Sequence, residues 1–217
     1  MSEAVKNSAS TPFVVAHDVS VPLAEFCFYQ DMPVKLAGQT VWRVEARLRP
    51  LEPLMLAAVK HFSMYHGSYE LRDRKVYLSC KRMPQGPGRP LSRPGWHCDG
   101  FLTPDITYLW SDNTPTEFSR SAFDLLGGEH DSMARMEAQA RPEDTFSFQD
   151  RTLVTMDSRC VHRPSMPTVN GVRTFIKLAF SRDRFDLAGN AHNYALDYSW
   201  PMRERMMERN VPQKVEP

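Results

Sequence analysis

The chain has 217 residues, of which 41% are hydrophobic and 24% charged, with a formal net charge of +1. That is an ordinary globular mixture with apolar side chains enough for one sizeable core. It carries no bulk field that would direct the whole surface to nucleic acid, although a local basic groove is not excluded.

No apolar run approaches the length of a membrane span, and the N-terminus lacks an apolar signal core. Four scattered cysteines, Cys27, Cys80, Cys98 and Cys160, form no Cys-x-x-Cys pair. They read as small hydrophobes in a reducing compartment, so the expected location is the cytoplasm and no membrane partner is expected.

Met1 to Thr11 reads as a polar, disordered start, and residues 12–217 as a single domain. Phe13 to Ala16 and Leu23 to Tyr29 are short apolar pieces suited to strands. Val41 to Leu48 alternates with period two, as a half-buried strand or the lead-in to the next helix. Leu51, Leu54, Met55, Ala58, Val59 and Phe62 fall on one face at helical spacing, after Pro50 and before Gly67. This is the best helix in the chain, and its stripe is suited to covering a sheet. His61 and His66 near its end read as solvated or capping residues.

Lys75 to Lys81 is a strand. Met83 to Pro94 is too rich in proline and glycine for a regular element and reads as a loop beside a site. Asp105 to Trp110 is a further strand, and Thr116 to Phe118 a short one. Residues 119–140 look like an insertion with a helix around Ser132 to Ala140; together with the loop before Pro94 it is expected to frame a pocket. Strands follow at Thr152 to Met156, Arg159 to Arg163 and Val172 to Ser181, and a short helix is expected from Trp200 to Arg209. Many short strands with one or two covering helices give a mainly β fold with flanking helices. The expected architecture is a double-stranded β-helix, a cupin-like jelly roll.

One stretch carries chemistry. In Trp96-His97-Cys98-Asp99-Gly100-Phe101 the side chains of an extended chain alternate, so His97 and Asp99 point one way and Cys98 the other. An imidazole beside a carboxylate is two-thirds of a facial metal triad. Alone the pair is weak, since a surface histidine next to a turn aspartate looks the same. His162 then lies 63 residues after Asp99, and Arg173 lies 11 residues after His162.

This order, with Trp96 to Gly100 in the first half and Leu153 to Pro164 followed by Gly171-Val172-Arg173 in the second, resembles the Fe(II)/2-oxoglutarate-dependent dioxygenases. It is similar to the phytanoyl-CoA hydroxylase-like members or related double-stranded β-helix oxygenases. The resemblance covers about Lys75 to Ser181. It implies His97, Asp99 and His162 as ligands of Fe(II), and Arg173 as the partner of the distal carboxylate of 2-oxoglutarate. A guanidinium suits that task because its planar fork grips a carboxylate by two parallel hydrogen bonds. The implied reaction uses O2 to decarboxylate 2-oxoglutarate to succinate and CO2 while an unactivated C–H is hydroxylated or otherwise oxidised.

Tyr77, Tyr108 and Thr116 are candidates for a second contact to the cosubstrate. Trp96, Phe101 and Trp110 are candidates for walls of a substrate pocket. Lys177 shares the strand face of Arg173 by parity, so the two point inward or outward together. Arg163, next to a ligand, faces away from it, and His130 reads as a surface residue. Two other readings compete: a non-catalytic cupin-like metal sensor, and a cupin-type metalloenzyme that does not use 2-oxoglutarate. Those would more naturally carry a His-x-His pair and a glutamate, and the chain has no His-x-His. The expected substrate is a small molecule or a single residue of a larger one.

Overall fold

Strand parity sorts the apolar residues of this chain into two layers. The computed structural model describes residues 9–124 and 129–205. Six strands form the main sheet: β1 (Phe13–Ala16), β2 (Cys27–Lys35), β3 (Lys75–Gln85), β4 (Ile106–Ser111), β7 (Leu153–Asp157) and β9 (Gly171–Ser181). Their order is β1-β7-β4-β9-β3-β2, with every neighbour antiparallel. β5 (Thr116–Ser119), β6 (Thr145–Ser147) and β8 (His162–Pro164) form a second sheet in the order β6-β5-β8. The backbones of His97 and His162 exchange hydrogen bonds of 3.0 and 2.9 Å, so the segment at His97 extends that second sheet past β8. Two antiparallel sheets face to face with these crossings make the double-stranded β-helix expected from the sequence.

On the outer face of the main sheet, Val76, Leu78 and Cys80 of β3 join Tyr108 and Trp110 of β4 and Ile176, Leu178 and Phe180 of β9. Leu54, Met55, Ala58 and Phe62 of α1 (Glu52–His66) cover them, and the Phe62 and Phe180 rings stack with centroids 4.6 Å apart. The helix is preceded by a 3-10 turn at Ala46–Leu51, so Val41 to Leu48 is a lead-in and not a strand. A second, short helix, α2 (Ser68–Asp73), follows Gly67.

The inner face carries residues of the other parity. Leu109, Val154, Met156 and Phe175 pack against Phe118 and Phe146 of the second sheet and Phe148 just after β6. Beneath the second sheet, Met136 of α3 (Glu129–Gln139) packs with Trp96, Cys98, Phe123 and Val161.

Several boundaries differ from the sequence expectation, each for a physical reason. β3 runs on to Gln85 through Pro84 because β2 pairs with it only as far as Arg82. Beyond that point the edge of β3 is open and proline removes no ladder hydrogen bond. Residues 9–11 are held in place: Ser10 donates its hydroxyl to Asp157 and its backbone N–H to Arg159 O. The rest of the expected disordered start lies outside the described residues. Residues 200–205 are not helical; Arg203 forms a parallel bridge to Leu187, and residues 206–209 of the expected helix lie outside the described part. Among the described residues no helix is long and apolar enough to cross a membrane.

Candidate metal centre

The alternation of side chains at residues 96–99 builds the site. Trp96 and Cys98 sink into the cluster with Met136, and the strand's other face turns His97 and Asp99 towards a cavity. Across the backbone bridge, Val161 points into the same apolar cluster while His162 points to the opposite face. His97, Asp99 and His162 each offer one ligand atom, all within 4.8 Å of one another. His162 Nε2 lies 3.9 Å from Asp99 Oδ2.

Both imidazoles are fixed from behind. His97 Nδ1 is 2.9 Å from Gly95 O and His162 Nδ1 is 3.0 Å from Cys160 O. Donation from Nδ1 to a carbonyl leaves the Nε2 lone pairs for an ion. Burial, with His162 adding to it, pushes His97 down to about 3, and burial also lowers His162, so both rings are neutral. For Asp99 burial acts in the opposite sense, but neighbouring charge, Lys177 foremost, outweighs it and holds the carboxyl well below its usual range. Two neutral imidazoles and one carboxylate are a donor set for a single divalent cation that leaves positions open.

After Asp99 the chain must turn sharply. Gly100 has φ +60°, and a Cβ there would lie 2.7 Å from Thr103 Oγ1 and 3.0 Å from Asp105 Oδ2. Glycine is the residue this turn accepts.

The cavity has a volume of about 880 Å³, within the range for ligand sites. β9 contributes Phe175 and Lys177 and β3 contributes Ser79 and Lys81, paired in register as Ser79 with Lys177 and Lys81 with Phe175. Lys177 Nζ stands 3.5 Å from Asp99 Oδ2 and 3.8 Å from Asp31 Oδ1. Burial works against its charge, yet the two carboxylates more than offset it and keep the ammonium protonated. Asp31 reaches the cavity because β2 slips register between Tyr29 and Met32. The slip inverts the strand's parity and leaves Asp31 at φ +43°, where its backbone N–H donates to Ser79 Oγ and its carboxylate accepts from the same hydroxyl.

Arg173 lies on the same face as Lys177 but deeper. It is 1% exposed, donates Nε to Asn113 O at 2.9 Å and places its guanidinium 5.0 Å from the Phe175 ring centre. Phe175 lines the cavity and Arg173 does not. Burial lowers Arg173 to about 10, and its Nη2 is buried without a hydrogen-bond partner among the described residues.

The other candidates separate. Phe101 lines the cavity. Tyr77 faces the same side of β3 but is capped by the Phe185 ring, 4.1 Å away, and donates to Asp183 O. Tyr108 does not face the cavity: even-numbered residues of β4 point to α1, and its hydroxyl meets His61 Nδ1 at 2.9 Å. Trp110 is on that outer face too, donating Nε1 to Val19 O. Trp96 is corrected for the same reason of parity; it lies under the second sheet with the Arg163 guanidinium 4.3 Å from its ring centre. Thr116 borders a separate void of about 20 Å³ with Phe118 and Phe148. No described residue of 119–140 lines the cavity, so the insertion covers the second sheet instead of framing the pocket. The wall it was expected to supply comes from residues 183–187 with Asn190, Arg203 and Arg205, a stretch without period or motif. His130 has no described side chain.

No protein-family model matches the chain, and no curated protein is similar to it at a significant level. Among solved structures it is similar to EvdO2 from Micromonospora carbonacea var. aurantiaca, with a TM-score of 0.42, 14% identity and 68% of each chain covered. The same protein complexed with 2-oxoglutarate gives a TM-score of 0.38 at 14% identity, over 69% of this chain and 71% of that one. A bsmA homolog from Methylobium petroleophilum PM1 gives 0.36 at 14% identity, over 79% of this chain and 66% of that one. All three TM-scores fall below 0.5, so the fold is read from this chain's own strand order and the chemistry from its own side chains.

Proposed function

We propose that the chain is an Fe(II)- and 2-oxoglutarate-dependent oxygenase that oxidises an unactivated C–H of a small molecule or a single residue. The observation that carries this reading is the His97–Asp99–His162 cluster, with ligand atoms within 4.8 Å, at the wall of a large cavity. Its nitrogen and carboxylate donors suit ferrous iron and leave three positions open. When bound, iron with 2-oxoglutarate and O2 supplies oxidation of a C–H coupled to release of succinate and CO2.

The chain's own residues do the rest. His97 and His162 present fixed Nε2 lone pairs, and Lys177 holds the Asp99 carboxylate ionised and orients its Oδ2. The cosubstrate is a dianion, and two kinds of donor are set for it, one on the cavity wall and one buried behind Phe175. Lys177 stands beside the ligands for the carboxylate nearest the metal. Arg173 offers the buried, unpaired Nη2 to the distal one. An unpaired buried donor on a charged group costs on the order of 1–3 kcal/mol, which a bound carboxylate recovers. Phe175 is the side chain such a carboxylate must pass or displace.

The test is succinate formation from 2-oxoglutarate in the absence of added substrate. Wild type with Fe(II) and ascorbate is expected to release succinate slowly, and Asp99→Ala to release none above background. Iron-loaded wild type that consumes no 2-oxoglutarate would count against the proposal.

A further inference from the structure

The charges around the triad do not close with iron and 2-oxoglutarate alone. Lys81, Arg93 and Lys177 line the cavity at this end, and the carboxylates facing them are Asp31 and Asp99. Adding a divalent ion leaves three positive charges in excess, and a cosubstrate whose distal carboxylate goes to Arg173, outside this set, brings one negative charge here and leaves two. Of the remaining acids of the lining, Asp186 pairs with Arg203 at 2.6 Å, while Asp105 and Asp183 form no ion pair among the described residues and feel the charges of Arg74 and Lys75 at longer range. Of the outer arginines, Arg205 donates to Asn190 Oδ1 and Arg184 lies over Trp200.

Arg93 stands apart from these. It is half-buried, sits on the loop that leads from β3 to His97, and has no hydrogen bond, ion pair or ring contact among the described residues. It is near enough to the centre to act electrostatically on His97, His162 and Lys177. Beside it Ser92 also lines the cavity, and its hydroxyl is buried without a partner among the described residues. A half-buried guanidinium and a buried hydroxyl, both unpaired and both on a wall of the cavity, are the donors an oxyanion requires. Phe28 and Phe101 supply apolar surface in the same cavity.

We propose that Arg93, with the Ser92 hydroxyl, is the receptor for a carboxylate or phosphate group of the substrate, which is therefore an anionic small molecule. This rests on the oxygenase reading, since it assigns the surplus charge to the substrate after the cosubstrate is in place. Ring-bearing probes suit the apolar surface and separate the two oxyanions: benzoate, phenyl phosphate and the neutral benzamide.

Protein loaded anaerobically with Fe(II) and 2-oxoglutarate is titrated with each probe by calorimetry, as wild type, Arg93→Gln and Arg93→Lys. At least one anion is expected to bind wild type more tightly than benzamide does. Its affinity should fall on the order of 10-fold in Arg93→Gln and recover in part in Arg93→Lys. Benzoate or phenyl phosphate as the tighter ligand identifies the carboxylate or the phosphate. Equal anion affinity in Arg93→Gln, benzamide binding as tightly as the anions, or no anion binding to wild type would overturn the proposal. The visible absorption of the iron–2-oxoglutarate complex, recorded on the same samples, tests the underlying reading separately. If it is absent in wild type the cosubstrate assignment fails, while the Arg93 comparison is still scored on its own.

Discussion

At the scale of the residue, the site is a problem of keeping three donors uncharged or charged as a metal needs them. His97 and His162 have no carboxylate behind them; backbone carbonyls orient them and burial keeps them neutral. The folded pKa of His97 is lower than its value in the open chain, so below about 6.5 the unfolded state binds the proton that the native state refuses. Asp99, also depressed, acts in the same direction at lower pH. The stability of the metal-free protein is therefore full above pH 6.5 and falls as the pH drops towards 3. Melting curves of metal-free wild type between pH 7.5 and 4 should show that fall, and His97→Gln should flatten its upper part. A wild-type Tm indifferent to pH over this range would contradict the account of the imidazoles.

At the scale of the element, the positions of the three candidate ligands come from parity and from one turn. Parity was legible in the sequence: the alternation at residues 96–99 and the step from Val161 to His162 give the faces that the structure shows. It was also legible for Arg173 and Lys177, which do point inward together. It misled where inner and outer faces were both apolar. Tyr108 and Trp110 have the aromatic character of pocket walls, but their parity on β4 turns them to α1, and nothing local in the sequence says which face of a doubly covered strand is the inner one. Asp31 escaped notice because a bulge, which reverses parity, leaves no periodic mark. The turn after Asp99 depends on Gly100. Gly100→Ala places a Cβ against Thr103 and Asp105 at positive φ, and is expected to destabilise by about 1–3 kcal/mol and to weaken Fe(II) binding through displacement of Asp99. Urea melts and an Fe(II) titration check this, and wild-type values for both would mean the turn has more room than it shows.

At the scale of the molecule, the fold separates stability from chemistry. The outer layer between α1 and the main sheet is apolar, and the space between the sheets divides into an aromatic half and a charged half around the cavity. Phe62→Ala removes a fully buried ring that stacks on Phe180, far from the ligands in the layering. It should cost about 3–5 kcal/mol in urea unfolding. The fraction that remains folded should bind Fe(II) with unchanged affinity; a loss of metal affinity in step with stability would show that the two layers are coupled. The layered architecture itself was legible as many short strands and one amphipathic helix. The cavity wall from residues 183–190 was not, because it holds no regular element and is placed by contacts distant in sequence, such as Tyr77 with Asp183 and Phe185.

The proposed function requires one iron ion and one 2-oxoglutarate to meet at His97, Asp99 and His162. Anaerobic titration of Fe(II) with and without 2-oxoglutarate, followed by the weak visible charge-transfer band, tests it most directly in wild type, His162→Ala and Arg173→Ala. A band is expected in wild type, none in His162→Ala, and in Arg173→Ala a band that saturates only at about 10-fold or more higher 2-oxoglutarate. Iron binding to wild type without any spectral trace of 2-oxoglutarate would contradict it.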